Sequence, residues 1–109
     1  MANIYKNAKV DLTNNSETAV LTVPSDSRAI IKSIVVSEDS GNADSITLTI
    51  TDASSNVFSL FKTKAVSANA TVELLSQPLV LQESEILKAT AATGNRLHFV
   101  VSMLEINRS

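Results

Sequence analysis

The chain is predicted to fold as a single all-β domain, an antiparallel β-sandwich of the jelly-roll kind with about eight strands. Residues 45–51 alternate between aliphatic and hydroxyl side chains, which is the pattern of a strand with one buried face. Similar apolar runs follow one another at short spacing, separated by clusters of Ser, Asn, Asp and Gly, with no convincing helix between them. We expect residues 1–109 to form one domain with a short N-terminal arm over about residues 1–5.

The first three runs predict strands at residues 5–12, 18–23 and 28–37. The turn-forming sequence Thr-Asn-Asn-Ser separates the first two, which are therefore predicted to form a hairpin. Pro24 then interrupts pairing, because proline has no N–H to donate to a neighbouring strand. The third run is apolar on both faces toward its ends, as expected for a central strand covered on each side, and one of those faces is a candidate contact with another subunit.

The middle of the chain predicts a second hairpin and a pair of short strands. Residues 45–51 and 57–62 are separated by the turn-forming sequence Asp-Ala-Ser-Ser-Asn, which favours pairing between them. Two shorter runs follow at residues 71–75 and 79–81. Pro78 lies between them and predicts an edge strand or a bend at that point.

The C-terminal part contains the one segment with a competing interpretation. Residues 82–89 have helical propensity, but the stretch is short, and a turn followed by a strand over residues 85–90 is favoured. The last strand, residues 96–106, is the most apolar of the chain. Its alternation assigns Leu97, Phe99, Val101 and Met103 to one face and His98, Val100, Ser102, Leu104 and Ile106 to the other.

Composition argues against several classes of function. Nine Lys and Arg are dispersed among eleven Asp and Glu, so no basic stripe is available to bind nucleic acid. The absence of Cys removes disulfides and thiolate metal sites. No signal peptide or membrane span is recognisable, so a soluble chain is expected. The free energy gained by burying the small aliphatic core is nearly cancelled by the entropy cost of ordering the backbone. Contacts with other subunits would bury further surface, so assembly is favoured.

No residue pattern predicts catalysis or a cofactor. His98 is the single histidine, has no Ser or Cys nucleophile pattern beside it, and is interpreted as a structural or interface residue. Glu83 and Glu85 would share one face of a strand and offer paired carboxylates for acid–base chemistry on a sugar. No aromatic platform for a sugar ring accompanies them, so this hypothesis is disfavoured, and no metal or cofactor is predicted.

An acidic loop is the only candidate cation site. Glu38, Asp39 and Asp44 surround Gly41 and supply oxygen atoms of the kind that calcium prefers. Their spacing does not match an EF-hand loop. Solvated turn residues are therefore the favoured interpretation of residues 38–44, and the question of a cation stays open at this point.

Because no catalytic or cofactor site is predicted, we expect the functional residues of this chain to lie at interfaces with other proteins. Ile4 and Tyr5 lie near the N-terminus beside small polar residues, where an exposed aromatic ring is a good anchor for a partner. Tyr5 could equally close one end of the core. Phe58 and Phe61 have odd spacing, which predicts one ring in the core and one pointing outward. These four residues and His98 are the candidate interface residues.

The order of these segments resembles small virion structural proteins of tailed bacteriophages, often from phages of marine bacteria and cyanobacteria. The resemblance rests on Tyr-Lys-Asn-Ala at residues 5–8, Val-Pro-Ser at 23–25, Arg-Ala-Ile-Ile-Lys-Ser-Ile at 28–34, Leu-Val-Leu at 79–81, Ala-Ala-Thr-Gly-Asn-Arg-Leu at 91–97 and Ser-Met-Leu-Glu-Ile at 102–106. It is a likeness of strands and turns over nearly the whole chain, without a catalytic signature.

The resemblance implies a β-sandwich built into the virion, which assembles in the bacterial cytoplasm. A capsid decoration or cement protein is the first expectation, and a neck, tail or baseplate component is the alternative. The implied partners are other copies of the chain, as a trimer or hexamer, and the major capsid protein or neck and tail proteins. Two further classes are a carbohydrate-binding module, disfavoured because the chain has one Tyr and no Trp, and a small β-barrel hydrolase or isomerase, disfavoured by the single histidine.

Overall fold

The computed structural model describes residues 2–107, which form nine β-strands. None of these residues belongs to a helix long and apolar enough to cross a membrane. The first five strands are β1 (Ala2–Leu12), β2 (Thr18–Thr22), β3 (Ser27–Glu38), β4 (Asp44–Thr51) and β5 (Val57–Val66). The last four are β6 (Thr71–Glu73), β7 (Leu79–Leu81), β8 (Ile86–Ala91) and β9 (Leu97–Asn107).

The strands form two antiparallel sheets that pack as a sandwich. The first sheet has the order β1-β9-β3, with both β6 and β7 beside β3, and the second sheet has the order β2-β8-β4-β5. The pairing is nested: β1 pairs with β9, β2 with β8, β3 with β6 and β7, and β4 with β5. Since β6 and β7 share one position, this is an eight-position jelly roll, which confirms the predicted fold class.

The ninth strand arises because one strand position is broken. β6 pairs with residues 35–37 and β7 with residues 29–31 of β3, while residues 74–78 leave the ladder between them. The Glu73 carboxylate accepts hydrogen bonds from the backbone N–H of Ile34 at 2.8 Å and of Leu75 at 3.2 Å, and from the Ser33 hydroxyl. Glu73 thus provides hydrogen-bond acceptors for Ser33 and Ile34 of β3, at the point where no neighbouring strand pairs with β3. β7 begins directly after Pro78 at the sheet edge, as predicted.

One predicted hairpin is confirmed and the other is wrong. β4 and β5 pair along their length, as the second hairpin requires. The first pair does not form, because β1 lies in the first sheet against β9 and β2 lies in the second sheet against β8. All eleven residues of β1, including residues 2–5 of the expected arm, find partners along β9. The competing helix is also absent: residues 82–85 form a turn, closed by the Glu85 N–H bond to the Gln82 carbonyl at 3.2 Å.

The core lies between the sheets and is almost entirely aliphatic. Alternate residues of β9 point into it, and all four side chains assigned to that face are buried, as predicted. Phe99 is the largest of them. Other buried contributors are Leu12, Ile31, Ile34, Val36, Ile46, Leu48, Leu81, Leu87 and Ala89. The opposite residues of β3 and β9 therefore lie on the outer surface of the first sheet.

Candidate interaction surfaces

The outer surface of the first sheet carries an apolar row in register across four strands. Tyr5 lies opposite Leu104, Leu104 opposite Ile30, and Ile30 opposite Val80. At the two ends of this row, Tyr5 is 75% exposed and Val80 is 53% exposed. Leu104 and Ile30 on the central strands are partly exposed. The row crosses the whole width of the sheet.

A second row on the same surface mixes apolar and charged residues. Lys9 lies opposite Val100, Val100 opposite Val35, and Val35 opposite Glu73. A positive charge therefore ends this mixed row on β1, and a negative charge ends it on β6. We call the surface formed by the two rows the apolar face; its apolar members are Tyr5, Ile30, Val35, Val80, Val100 and Leu104.

The outer surface of the second sheet is different. Ser45, Thr47 and Thr49 point outward from β4, and Lys88 and Thr90 point outward from β8. An antiparallel sheet with one face in water normally has such polar outward residues. The second sheet follows that pattern except at one end, where Val57 and Ile86 lie beside Thr51, and the first sheet does not. The apolar face is therefore the surface best suited to contact another protein.

His98 lies at one end of the first sheet, on the same outer surface. Its Nε2 is 3.3 Å from an Asp11 carboxylate oxygen, and its Nδ1 is 3.3 Å from an Asp39 carboxylate oxygen. The imidazole thus bridges β1 and the loop after β3. Tyr5 and His98 share this surface, but Tyr5 lies opposite Leu104 and His98 lies opposite Asp11. About 20 Å of strand therefore separates them, and the structure does not bring the two predicted residues together.

The two phenylalanines lie on β5, at the edge of the second sheet. Phe61 packs against the core, and Phe58 is 56% exposed. The strand contains an extra residue between Ser59 and Phe61, so that Phe58 and Phe61 both lie opposite core-facing residues of β4. Their exposures differ as predicted, but the cause is the position of Phe58 near the open end of the strand rather than its odd spacing.

A shallow groove separates β5 from the break between β6 and β7. It has a volume of about 420 Å³ and is open to solvent. Its lining includes the apolar residues Leu60, Phe61, Leu74, Leu75, Pro78 and Leu79 and the polar residues Ser76 and Gln77. Ile4, the remaining sequence candidate, is 54% exposed on β1 at the opposite edge of the sandwich.

In the acidic loop, Glu38 has a structural role. Glu38 is buried, and its carboxylate accepts hydrogen bonds from the N–H groups of Ser40 at 2.8 Å, Gly41 at 3.0 Å and Asn69 at 2.9 Å, and from the Ser40 hydroxyl. Burial alone would raise the pKa of Glu38, but these hydrogen bonds outweigh it and lower the pKa to about 2. The expectation that Glu38 is a solvated turn residue is therefore wrong.

The remaining acidic candidates are engaged in separate contacts. Asp44 accepts a hydrogen bond from the Thr93 N–H at 3.1 Å, and Glu85 accepts one from the Gln82 N–H at 2.7 Å. Glu83 forms an ion pair with Arg28 at 3.2 Å. Across residues 2–107, no group of three or more His, Asp or Glu side chains is placed to hold a metal ion. These carboxylates therefore form hydrogen bonds or an ion pair within the fold.

Comparison with known proteins gives likenesses of fold. No family model matches the chain, and no curated protein matches it. Among solved structures, a chain of the Bacillus endospore appendages, described as a novel family of disulfide-linked pili, is similar with a TM-score of 0.59 and 9% identity, over 98% of this chain and 89% of that one.

Two phage capsid structures also contain similar chains. One is the acidic stable capsid of Helicobacter pylori bacteriophage KHP30, with a TM-score of 0.58 and 9% identity over 97% of this chain and 89% of the other. The second is the capsid asymmetric unit of cyanophage Pam1, with a TM-score of 0.46 and 16% identity over 94% and 85%. At these identities the likeness concerns the sandwich fold.

Proposed function

We propose that the chain is a non-enzymatic structural protein of a phage virion that self-associates and docks on a larger assembly. A decoration or cement protein of the capsid is the role we favour. The observation that carries this proposal is the apolar face, because the outer surface of an antiparallel sheet in a monomer would be polar. The hydrogen-bonded or ion-paired state of Glu38, Asp44, Glu83 and Glu85 gives further support, since these carboxylates serve the fold.

The structural likenesses are compatible with a subunit role. The KHP30 structure is of a capsid, and the Bacillus chain belongs to pili, so in both cases a sandwich of this fold occurs within an assembly. The pili are described as disulfide-linked. The present chain contains no Cys, so its own assembly would depend on non-covalent contacts.

The mechanism follows from burial of surface. A cement protein adds interfacial free energy, about 25 cal/mol for each Å² of apolar surface removed from water, which resists the pressure of packaged DNA. A specific contact needs about 1,200 to 2,000 Å² in total. Three or six copies would match the rotational symmetry of a capsid or tail axis. The partners would be the major capsid protein or the neck and tail proteins.

The test is to mix the purified chain with capsids that lack it and to measure co-sedimentation and the melting temperature of the particles. We expect saturable binding and greater resistance to heat, and no binding to capsids that already carry the protein. Binding to tails or necks instead would move the role to that part of the virion. Failure to bind any part of the particle would overturn the proposal.

A further inference from the structure

The apolar face needs a partner whose surface matches its two rows. Given the self-association that the proposed function assumes, we propose that a second copy of the chain covers this face, related by a two-fold axis that runs parallel to the strands. Such a contact is isologous, so that each pair of contacting residues occurs twice, once in each direction between the copies. The sheets would pack face to face, as the two layers of a sandwich do.

The axis lies in the plane where the two copies meet, above the line midway between the neighbouring strands β9 and β3. It places β9 on β3 of the second copy, and β1 on β6 and β7 of the second copy. Each row stays at its own level, because rotation about an axis along the strands does not move a residue along them. The contacts can therefore be taken directly from the register of the sheet.

The rows are self-complementary under this rotation. In the apolar row, Tyr5 meets Val80 of the second copy and Leu104 meets Ile30. In the mixed row, Val100 meets Val35, and the ammonium group of Lys9 meets the carboxylate of Glu73. Hydrogen bonds lower the pKa of Glu73 although its partial burial opposes this, so the carboxylate keeps its charge at neutral pH.

The polar positions of the same face lie between the two rows, near the axis. Between the two rows, Ser102 lies opposite Asn7 and Ser33 in the sheet and would meet Ser33 of the second copy. Lys32 is the extra residue where the register of β3 shifts, and its exposed side chain would lie beside these hydroxyl groups. Neither row brings like charges together, whereas Lys32 of the two copies would lie at the same level on either side of the axis.

The alternative two-fold axis, perpendicular to the strands, fits poorly. It exchanges the levels of the two rows, so that Tyr5 would meet Lys9 and Val80 would meet the carboxylate of Glu73. An apolar side chain placed on a carboxylate removes water from the charge without replacing its hydrogen bonds. Within the two rows, charge complementarity therefore favours the axis parallel to the strands.

The size of the face sets the conditions of the experiment. Four strands about 4.8 Å apart and nine residues with a rise of about 3.4 Å each give a flat patch of about 600 Å². A standard interface buries about 800 Å² on each partner. We therefore expect a pair that dissociates on dilution. Three such pairs about a three-fold axis would give six copies.

Sedimentation and light scattering, from low micromolar to millimolar concentration, test the proposal. We expect the native mass to rise to twice 11.6 kDa, the mass of one chain. Tyr5→Glu and Val80→Lys should each keep the mass at that of one chain, because each places a charge on an apolar side chain. Together they should restore the pair, because the substituted side chains carry opposite charges and face each other.

The control is Lys64→Glu, which changes the charge of an exposed residue on β5, outside the apolar face. It should leave the pair intact, and circular dichroism should show that every variant is folded. A native chain that stays monomeric overturns the proposal, as does a pair that both single variants preserve. Failure of the double variant to restore the pair overturns the chosen axis. A monomer that still binds capsids would remove this inference and leave the proposed function standing.

Discussion

At the scale of single residues, Glu38 makes stability depend on pH. Its pKa is about 2 in the fold and 4.5 without it, so its contribution is complete above about pH 4.5 and is lost as the pH falls toward 2. Glu38→Gln should lower the melting temperature at pH 7, because the amide is a weaker acceptor for the N–H groups of Ser40, Gly41 and Asn69.

Thermal unfolding between pH 2 and 7 checks this prediction. We expect the native melting temperature to fall more steeply with acid than that of Glu38→Gln, although Asp52 and Glu73, whose pKa values are also lowered, keep part of the slope in both. Glu17→Gln, on the exposed side of an ion pair with Lys88, is the control and should change little. Equal slopes for the native chain and Glu38→Gln would contradict the prediction.

Thr51 offers a substitution that should increase stability. Its Oγ1 is buried without a hydrogen-bond partner among the described residues, whereas Oγ1 of Thr47 accepts a bond from the Thr63 N–H at 3.1 Å. Thr51→Val keeps the shape and strand propensity and should raise the free energy of unfolding by about 1 kcal/mol.

Thr47→Val is the matched control on the same face of the same strand. It removes the acceptor for the Thr63 N–H and should lower the free energy of unfolding by about 1 kcal/mol. Urea unfolding measures both variants. If the free energy of unfolding changed in the same direction in both variants, the hydrogen bonding of the two hydroxyl groups would not explain the effects.

At the scale of elements, the β8–β9 turn is pressed against the loop between β1 and β2. A Cβ atom on Gly94 would lie 2.6 Å from the Thr13 carbonyl oxygen and 2.8 Å from Cα of Asn14, and both are backbone atoms. Beside it, the Asn95 N–H donates to the Leu12 carbonyl at 2.9 Å. The turn and the loop can approach this closely only with glycine at position 94.

Gly94→Ala should therefore lower the free energy of unfolding by about 1–3 kcal/mol, since the two loops must move apart. Gly41→Asn is the control: no atom lies within 4 Å of a Cβ there, and Asn tolerates the left-handed backbone at φ 84°. Urea unfolding of both variants tests this. A loss for Gly41→Asn as large as that for Gly94→Ala would contradict the steric explanation.

The elements also show what local sequence can predict. The alternation of residues 45–51 identifies β4 because its period is a property of one strand. The turn sequence at residues 13–16 does not predict its partner strands, because a polar connection suits both a hairpin and a crossing between sheets. Pairing of β1 with β9 depends on the opposite ends of the chain, and no local pattern encodes it.

At the scale of the whole molecule, the candidate surface was only partly predictable. Apolar residues on both sides of residues 28–37 indicate a second covered face, and Tyr5 is conspicuous as the single tyrosine. Val80 and Leu104 could not be added to Tyr5 from sequence, since the row exists only after β1, β9, β3 and β7 are in register. The interface is a property of the assembled sheet.

Pairing through the apolar face would couple stability to concentration. For a pair that unfolds to two chains, each tenfold increase in concentration adds about 1.4 kcal/mol to the stability of the pair. The melting temperature of the native chain should therefore rise by about 2–5 °C per tenfold increase, given the usual entropy of unfolding of a domain of this size. Differential scanning calorimetry measures this over the range in which the pair forms.

Tyr5→Glu should melt at a temperature that does not change with concentration, because its folded state is a single chain. Lys64→Glu should show the same concentration dependence as the native chain, since that residue lies on β5, outside the contact. A native melting temperature independent of concentration would mean that folding of one chain alone sets its stability. The small aliphatic core and the open apolar face would then have to be reconciled with a stable monomer.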